Sequence, residues 1–126
     1  MQNLKMFCIC IHNELLPKVK KLDYIPVGLG HDKFDNDWIT DSYGQNISKK
    51  NKFYGEYTFH YWFWKNELNN ISENDWIGFC AYRRFWLNEK NSNAQNLNFQ
   101  DKVLRQIPEL WKDYQVILGD KISVNN

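Results

Sequence analysis

Two of the chain's three arginines, Arg83 and Arg84, stand side by side directly after an apolar run, Trp76–Cys80. Paired guanidinium groups at the end of a strand can clamp a phosphate through bidentate hydrogen bonds, or they can pair with carboxylates or lie in solvent. Successive residues leaving a strand point to opposite sides, so one arginine rather than both is expected to face a ligand. His12 ends a second apolar run, Lys5–Ile11, and open α/β sheets bind ligands at the carboxyl ends of their strands. Glu56 and His60 are one helical turn apart and share a face, either as a satisfied structural pair or as part of a pocket. Asp35-Asn36-Asp37 offers two spaced carboxylates, the chemistry that holds a divalent cation against a diphosphate. That arrangement needs an apolar strand immediately before it, and Gly30-His31-Asp32-Lys33-Phe34 is not one, so a solvated acidic loop is expected. Cys8, Cys10 and His12 share one side of a strand. That spacing suits tetrahedral metal binding poorly and no fourth ligand is near, so the cysteines read as small buried residues.

The elements that must position these groups follow from hydrophobic pattern. Lys5–Ile11 is apolar without alternation, as in a strand covered on both faces. Glu14–Leu22 is a short helix or a loop. Tyr24–Leu29 is a second strand, with Pro26 placing it at an edge or a strand start. Residues 30–51 read as a long loop, functional or disordered rather than a simple connection. The spacing of Phe53, Tyr57, Tyr61, Trp64 and Leu68 predicts a helix from Phe53 to about Leu68, capped by Ser48 or Asn51 and ended at Asn69-Asn70. Trp62, Phe63 and Trp64 can stack on bases or sugars, but beside a sheet they read as core. Trp76–Cys80 is a third strand, Asn88–Asn98 a polar loop, Phe99–Ile107 a short amphipathic helix, and Tyr114–Leu118 a fourth strand. Strand and helix alternate, which defines an α/β class with a mainly parallel sheet and flanking helices. A parallel sheet needs both faces covered, and no helix follows the last expected strand. Residues 1–126 therefore read as one partial domain, the front of a larger one.

Composition narrows the function classes. A chain of 126 residues with 43% hydrophobic and 25% charged residues is a globular domain, not a disordered segment. No apolar run is long enough to span a membrane, and Met6–Ile11 lacks the cleavage site of a signal peptide. The net charge of +1 argues against coating nucleic acid, which would otherwise suit the exposed-aromatic alternative. The three cysteines are read as reduced thiols of a cytoplasmic protein. Aromatics cluster rather than scatter, whereas the excess of Lys, Asn and Ile carries no functional message.

Three segments in order are similar to one family. Gln45–Glu56 (QNISKKNKFYGE), Tyr61–Asn66 (YWFWKN) and Asp75–Phe85 (DWIGFCAYRRF) resemble the DUF4422 domain, and the opening KMFCICIHN resembles that family's first strand. The resemblance implies a GT-A-like nucleotide-sugar fold and a glycosyltransferase of bacterial capsule, exopolysaccharide or lipopolysaccharide synthesis. A nucleotide-diphosphate sugar would be the donor, and a glycan or lipid-linked molecule the acceptor, with the protein peripheral at the inner membrane at most. Carried over by position, donor-binding candidates are His12, Asn46, Ser48, Glu56, Tyr82, Arg83 and Arg84; Asn51, Trp62, Trp64 and Lys65 also match. Gln45, Lys49, Lys52, Gly55 and Ala81 depart from the family's usual Asp, Glu, Pro, Cys and His. No catalytic residue and no metal ligand is assigned. Manganese or magnesium is the cofactor left open, with an arginine neutralising the diphosphate in place of metal-binding acids. The alternative is a non-catalytic nucleotide-sugar-binding or partner-binding module.

Overall fold

A computed structural model describes residues 3–88, 98–120 and 123–124. Its centre is a sheet of four parallel strands, β1 (Leu4–Cys10), β2 (Ile25–Gly28), β3 (Ile39–Thr40) and β4 (Trp76–Ala81), in the order β3-β2-β1-β4. The α/β class is as the sequence implies. β1 lies between β2 and β4, with Phe7 opposite both Ile25 and Phe79. This explains its unbroken apolar character, because both faces are covered. Met6, Cys8 and Cys10 enter one core with Val19, Leu22, Tyr24, Trp38 and Cys80. Phe7 and Ile9 enter the other with Val27, Leu29, Phe59, Trp62 and Phe63. Full burial of such a side chain stabilises the fold by about 1.5–3 kcal/mol.

One helix covers each face. α1 (Leu16–Lys21) begins with Pro17 in its first turn and buries Val19 in the first core. The second face is covered by α3 (Tyr57–Asn66), which buries Thr58, Phe59, Trp62 and Phe63. The helix expected from Phe53 to Leu68 is in fact two pieces. A short α2 (Asn51–Tyr54) precedes α3, and Gly55 between them has φ +56° and ψ −132°, a conformation that interrupts helical hydrogen bonding. Asn51 fastens the break, its Nδ2 donating to Gly55 O at 3.0 Å and to Thr58 Oγ1 at 3.1 Å.

Pro26 stands at a strand start, as expected: it is the second residue of β2, opposite Cys8 of β1, and β3 pairs only with Val27 and Gly28, so the missing N–H is tolerated. The structure corrects three further expectations. The long loop contains β3 and a 3-10 turn at Ser48–Lys50. Phe99–Ile107 is helical only over α4 (Phe99–Lys102). Beyond it Val103 and Leu104 run extended beside Leu87 and Trp86 and are buried in the first core, because their apolar side chains gain more there than on a solvated helix. Tyr114–Leu118 is no strand: Tyr114, Val116 and Leu118 are exposed. A cleft of about 640 Å³ separates this segment from β4. Most of the polar loop at Asn88–Asn98 lies outside the described residues.

Candidate functional site

Since all four strands are parallel, their carboxyl ends open along one edge. His12 follows β1, His31 and Asp32 follow β2, Asp41 follows β3, and Tyr82 follows β4. The first two ends are tied together: Asn13 N–H donates to Asp32 Oδ2 at 2.7 Å, and Asn13 Nδ2 donates to Lys33 O at 3.0 Å. Tyr82 N–H donates to Ile9 O at 3.1 Å, continuing the β1–β4 ladder for one more residue. Ala81 and Arg84 then exchange backbone hydrogen bonds at 3.1 and 3.0 Å, so the Ala81–Arg84 segment is a tight turn.

That turn separates the two arginines. Arg84 lines a cleft of about 450 Å³ with Ile9, Glu56, His60, Phe79, Trp86 and Asp120. Arg83 instead lies across the Tyr82 ring, 5.1 Å from its centroid, and Tyr82 meets the His12 ring edge-on at 6.3 Å. The edge thus carries two adjacent neighbourhoods, an open His12–Tyr82–Arg83 row and a walled cleft with Arg84. Among the described residues, neither arginine has a carboxylate partner.

Within the cleft, Glu56 and His60 come from the start of the α3 region, one turn apart. The His60 ring packs edge-on against Phe79 at 4.6 Å, with Tyr57 and Phe59 also in contact. Burial pulls the His60 imidazole below its ordinary pKa, opposed by the negative charge of Glu56. Burial therefore favours the neutral form of the ring. Trp86 forms part of the wall, its Nε1 donating to Phe79 O at 2.9 Å.

Asn46 and Ser48 lie elsewhere. Asn46 Oδ1 accepts from Ser48 N at 3.2 Å and Ser48 Oγ at 3.0 Å, while its Nδ2 donates to Gly44 O at 2.9 Å. Both side chains shape the turn leading into α2, and neither lines the cleft. The structure therefore brings Glu56 and Arg84 together, groups His12, Tyr82 and Arg83 beside them, and leaves Asn46 and Ser48 in a structural turn.

Three groups at or near the edge escape a sequence reading of donor-binding positions. His60 carries a legible signal, its spacing from Glu56. Asp120 has none, because it reaches the cleft from a distant part of the chain. Asp41 is buried and its Oδ2 has no hydrogen-bond partner among the described residues.

The acidic triplet does not suit a metal ion. Asp35 Oδ1 accepts the N–H of Asp37 at 2.9 Å, and Asp37 pairs with Lys20 at 3.4 Å in solvent. Among the described residues, no group of three or more His, Cys, Asp and Glu side chains is placed to hold a cation. Cys8, Cys10 and Cys80 are free thiols in the core. Hydrogen bonding with Cys8, followed by burial, pushes the Cys10 thiol up, which keeps it protonated and unreactive. The larger cleft beside β4 has Glu73, Asp75 and Lys112 as its ionic residues, of which Asp75 pairs with Lys5 and Lys112 with Glu109.

Fold and edge together define a parallel α/β domain with a cleft at the carboxyl ends of its strands, in which Glu56, His60, Arg84 and Asp120 stand among mainly apolar walls. The chain belongs to the family described as Domain of unknown function (DUF4422), which it matches over residues 5–126. No curated protein and no solved structure matches it. Among the described residues, no helix is long and apolar enough to cross a membrane.

Proposed function

We propose that this domain binds a nucleotide-diphosphate sugar along the carboxyl edge of its sheet and serves a cytoplasmic glycosyltransferase reaction on a bacterial surface glycan or its lipid-linked precursor. The observation that carries this reading is the convergence of Arg84, Glu56 and His60 in one cleft, beside Arg83, which has no carboxylate partner among the described residues. A sugar–phosphate bond breaks most readily when the departing diphosphate meets preorganised positive charge. Arg84 supplies it inside the cleft and Arg83 at the rim. The nucleotide lies over the His12–Tyr82 row, and Glu56 accepts hydrogen bonds from sugar hydroxyls. As the acceptor oxygen bonds to the anomeric carbon, the electron pair of the broken bond moves to the diphosphate oxygen and the hydroxyl proton passes to His60.

Titration with a panel of nucleotide-diphosphate sugars, with and without manganese, tests this reading through tryptophan emission, since Trp86 stands in the cleft wall. Saturable binding without metal is expected. Arg84→Glu should weaken it by roughly tenfold to a hundredfold, the value of one or two charge-assisted hydrogen bonds, and Arg83→Glu by less. Retained binding in both variants removes the arginine clamp. Donor binding without sugar transfer by the chain supports the non-catalytic module instead.

A further inference from the structure

The outward side of the α2–α3 region is the most conspicuous surface that the cleft does not use. Phe53 is 74% exposed, Tyr57 69% and Trp64 56%, and Tyr54 and Leu68 are exposed beside them. Tyr57 and Trp64 lie on the side of α3 opposite Phe59, Trp62 and Phe63, which face the sheet, while Phe53 and Tyr54 belong to α2 and Leu68 to the 3-10 turn that follows α3. A helix that hides one aromatic face and presents another has a second surface to cover.

The charge around this surface identifies what covers it. Lys49, Lys50, Lys52 and Lys65 are all exposed. Across residues 49–68 the carboxylates are Glu56, which lines the cleft, and half-buried Glu67, against four exposed lysines. Lys65 Nζ sits 3.7 Å from the Trp64 ring centroid and Lys52 Nζ 4.8 Å from that of Phe53, so cation and ring are presented together. Tryptophan and tyrosine favour the boundary between lipid headgroups and acyl chains, and lysine stems lie along apolar surface while their ammonium groups reach phosphate. An amphipathic face of aromatics rimmed by lysine is the chemistry of an interfacial, in-plane membrane contact.

We infer that the exposed aromatic–lysine face of α2 and α3 docks the protein on an anionic lipid bilayer. The contact is peripheral: the rings enter the headgroup region, and the lysines meet negative phosphates. This inference does not depend on the reading of the cleft.

The test is sedimentation of the whole chain with vesicles of phosphatidylethanolamine and phosphatidylglycerol, compared with phosphatidylcholine alone. Binding to the anionic vesicles, weakened by salt and accompanied by a blue shift of tryptophan emission, is the expected result. Trp64→Phe should keep binding and lose much of the shift. Lys49→Glu, Lys50→Glu and Lys52→Glu combined should lower vesicle affinity by at least about tenfold, given the effect of each basic residue near an anionic surface. All these side chains are exposed, and unchanged circular dichroism confirms an intact fold. The inference is overturned if the folded chain stays in the supernatant, binds both vesicle types equally, or is unaffected by the lysine reversals. Tighter binding to a single-stranded oligonucleotide, or a dimer that Trp64→Ser dissolves, also overturns it by assigning the face to another occupant.

Discussion

The two sides of α3 use the same residue types in different ways. Toward the sheet, Phe59 and Phe63 pack with Phe7 and Phe79, and Trp62 is fully buried with its Nε1 donating to Tyr43 O at 2.8 Å. Toward solvent, Tyr57 and Trp64 are exposed, and a lysine lies over the Trp64 ring. Hydrophobicity does not separate the two sides. Polar satisfaction and ring partners do: an indole N–H can be buried only where an acceptor waits, and the turn at Tyr43 supplies it.

Breaking that contrast gives the largest expected effect. Trp62→Ala should destabilise the fold by about 3–5 kcal/mol through cavity formation, a large part of the ~5–15 kcal/mol typical of a whole domain. Trp64→Ala, a change of equal size on the other side, should shift stability by no more than about 0.5 kcal/mol. Urea unfolding of the two variants measures the difference directly. Similar losses in both would show that the outer face is packed against something in solution.

A smaller effect is expected at the joint between the pieces. Gly55 holds φ +56° and ψ −132° with open space where a Cβ would stand, so Gly55→Ala meets no steric clash but must adopt a strained backbone. A loss of about 1–3 kcal/mol is expected by thermal unfolding. If the variant is instead stabilised, α2 and α3 have fused into one helix, on which Phe53, Tyr57 and Trp64 share a face.

The same joint shows what the sequence could and could not reveal. Phe53, Tyr57, Tyr61, Trp64 and Leu68 do recur at helical spacing, yet apart from half-buried Tyr61 they mark the solvent side, and the core side is Phe59, Trp62 and Phe63. With aromatics all around the helix, periodicity finds the helix but not its inward direction. The strands were legible because β1 is covered on both faces and cannot alternate. Tyr114–Leu118 has equally good strand composition and remains unpaired, since composition does not report whether a partner edge is within reach. At the site, the Arg83-Arg84 pair was visible; Arg84 lines the cleft and Arg83 does not, and both side chains are exposed. What separated them was a turn closed by backbone hydrogen bonds, which side-chain chemistry does not encode. Asp120 was invisible because only tertiary folding brings it to the cleft.

His60 stands where the two sides of α3 meet, touching inward Phe59 and Phe79 as well as outward Tyr57, and it gives the smallest and sharpest test of the contrast. Burial lowers its pKa in the folded chain relative to the ordinary value of 6.5. The unfolded chain therefore binds a proton at this residue more readily than the folded one, and stability must rise with pH across the interval between the two values. The contribution is complete above about pH 7 and declines as pH falls through 6.5 toward the folded-state value. His60→Asn cannot titrate and should flatten this part of the stability profile, measured by urea unfolding between pH 5 and 7.5. A slope unchanged by the substitution would place His60 in water and on the outer side. A flattened slope would fix it on the inner side, where a neutral imidazole is available to take a proton in the cleft.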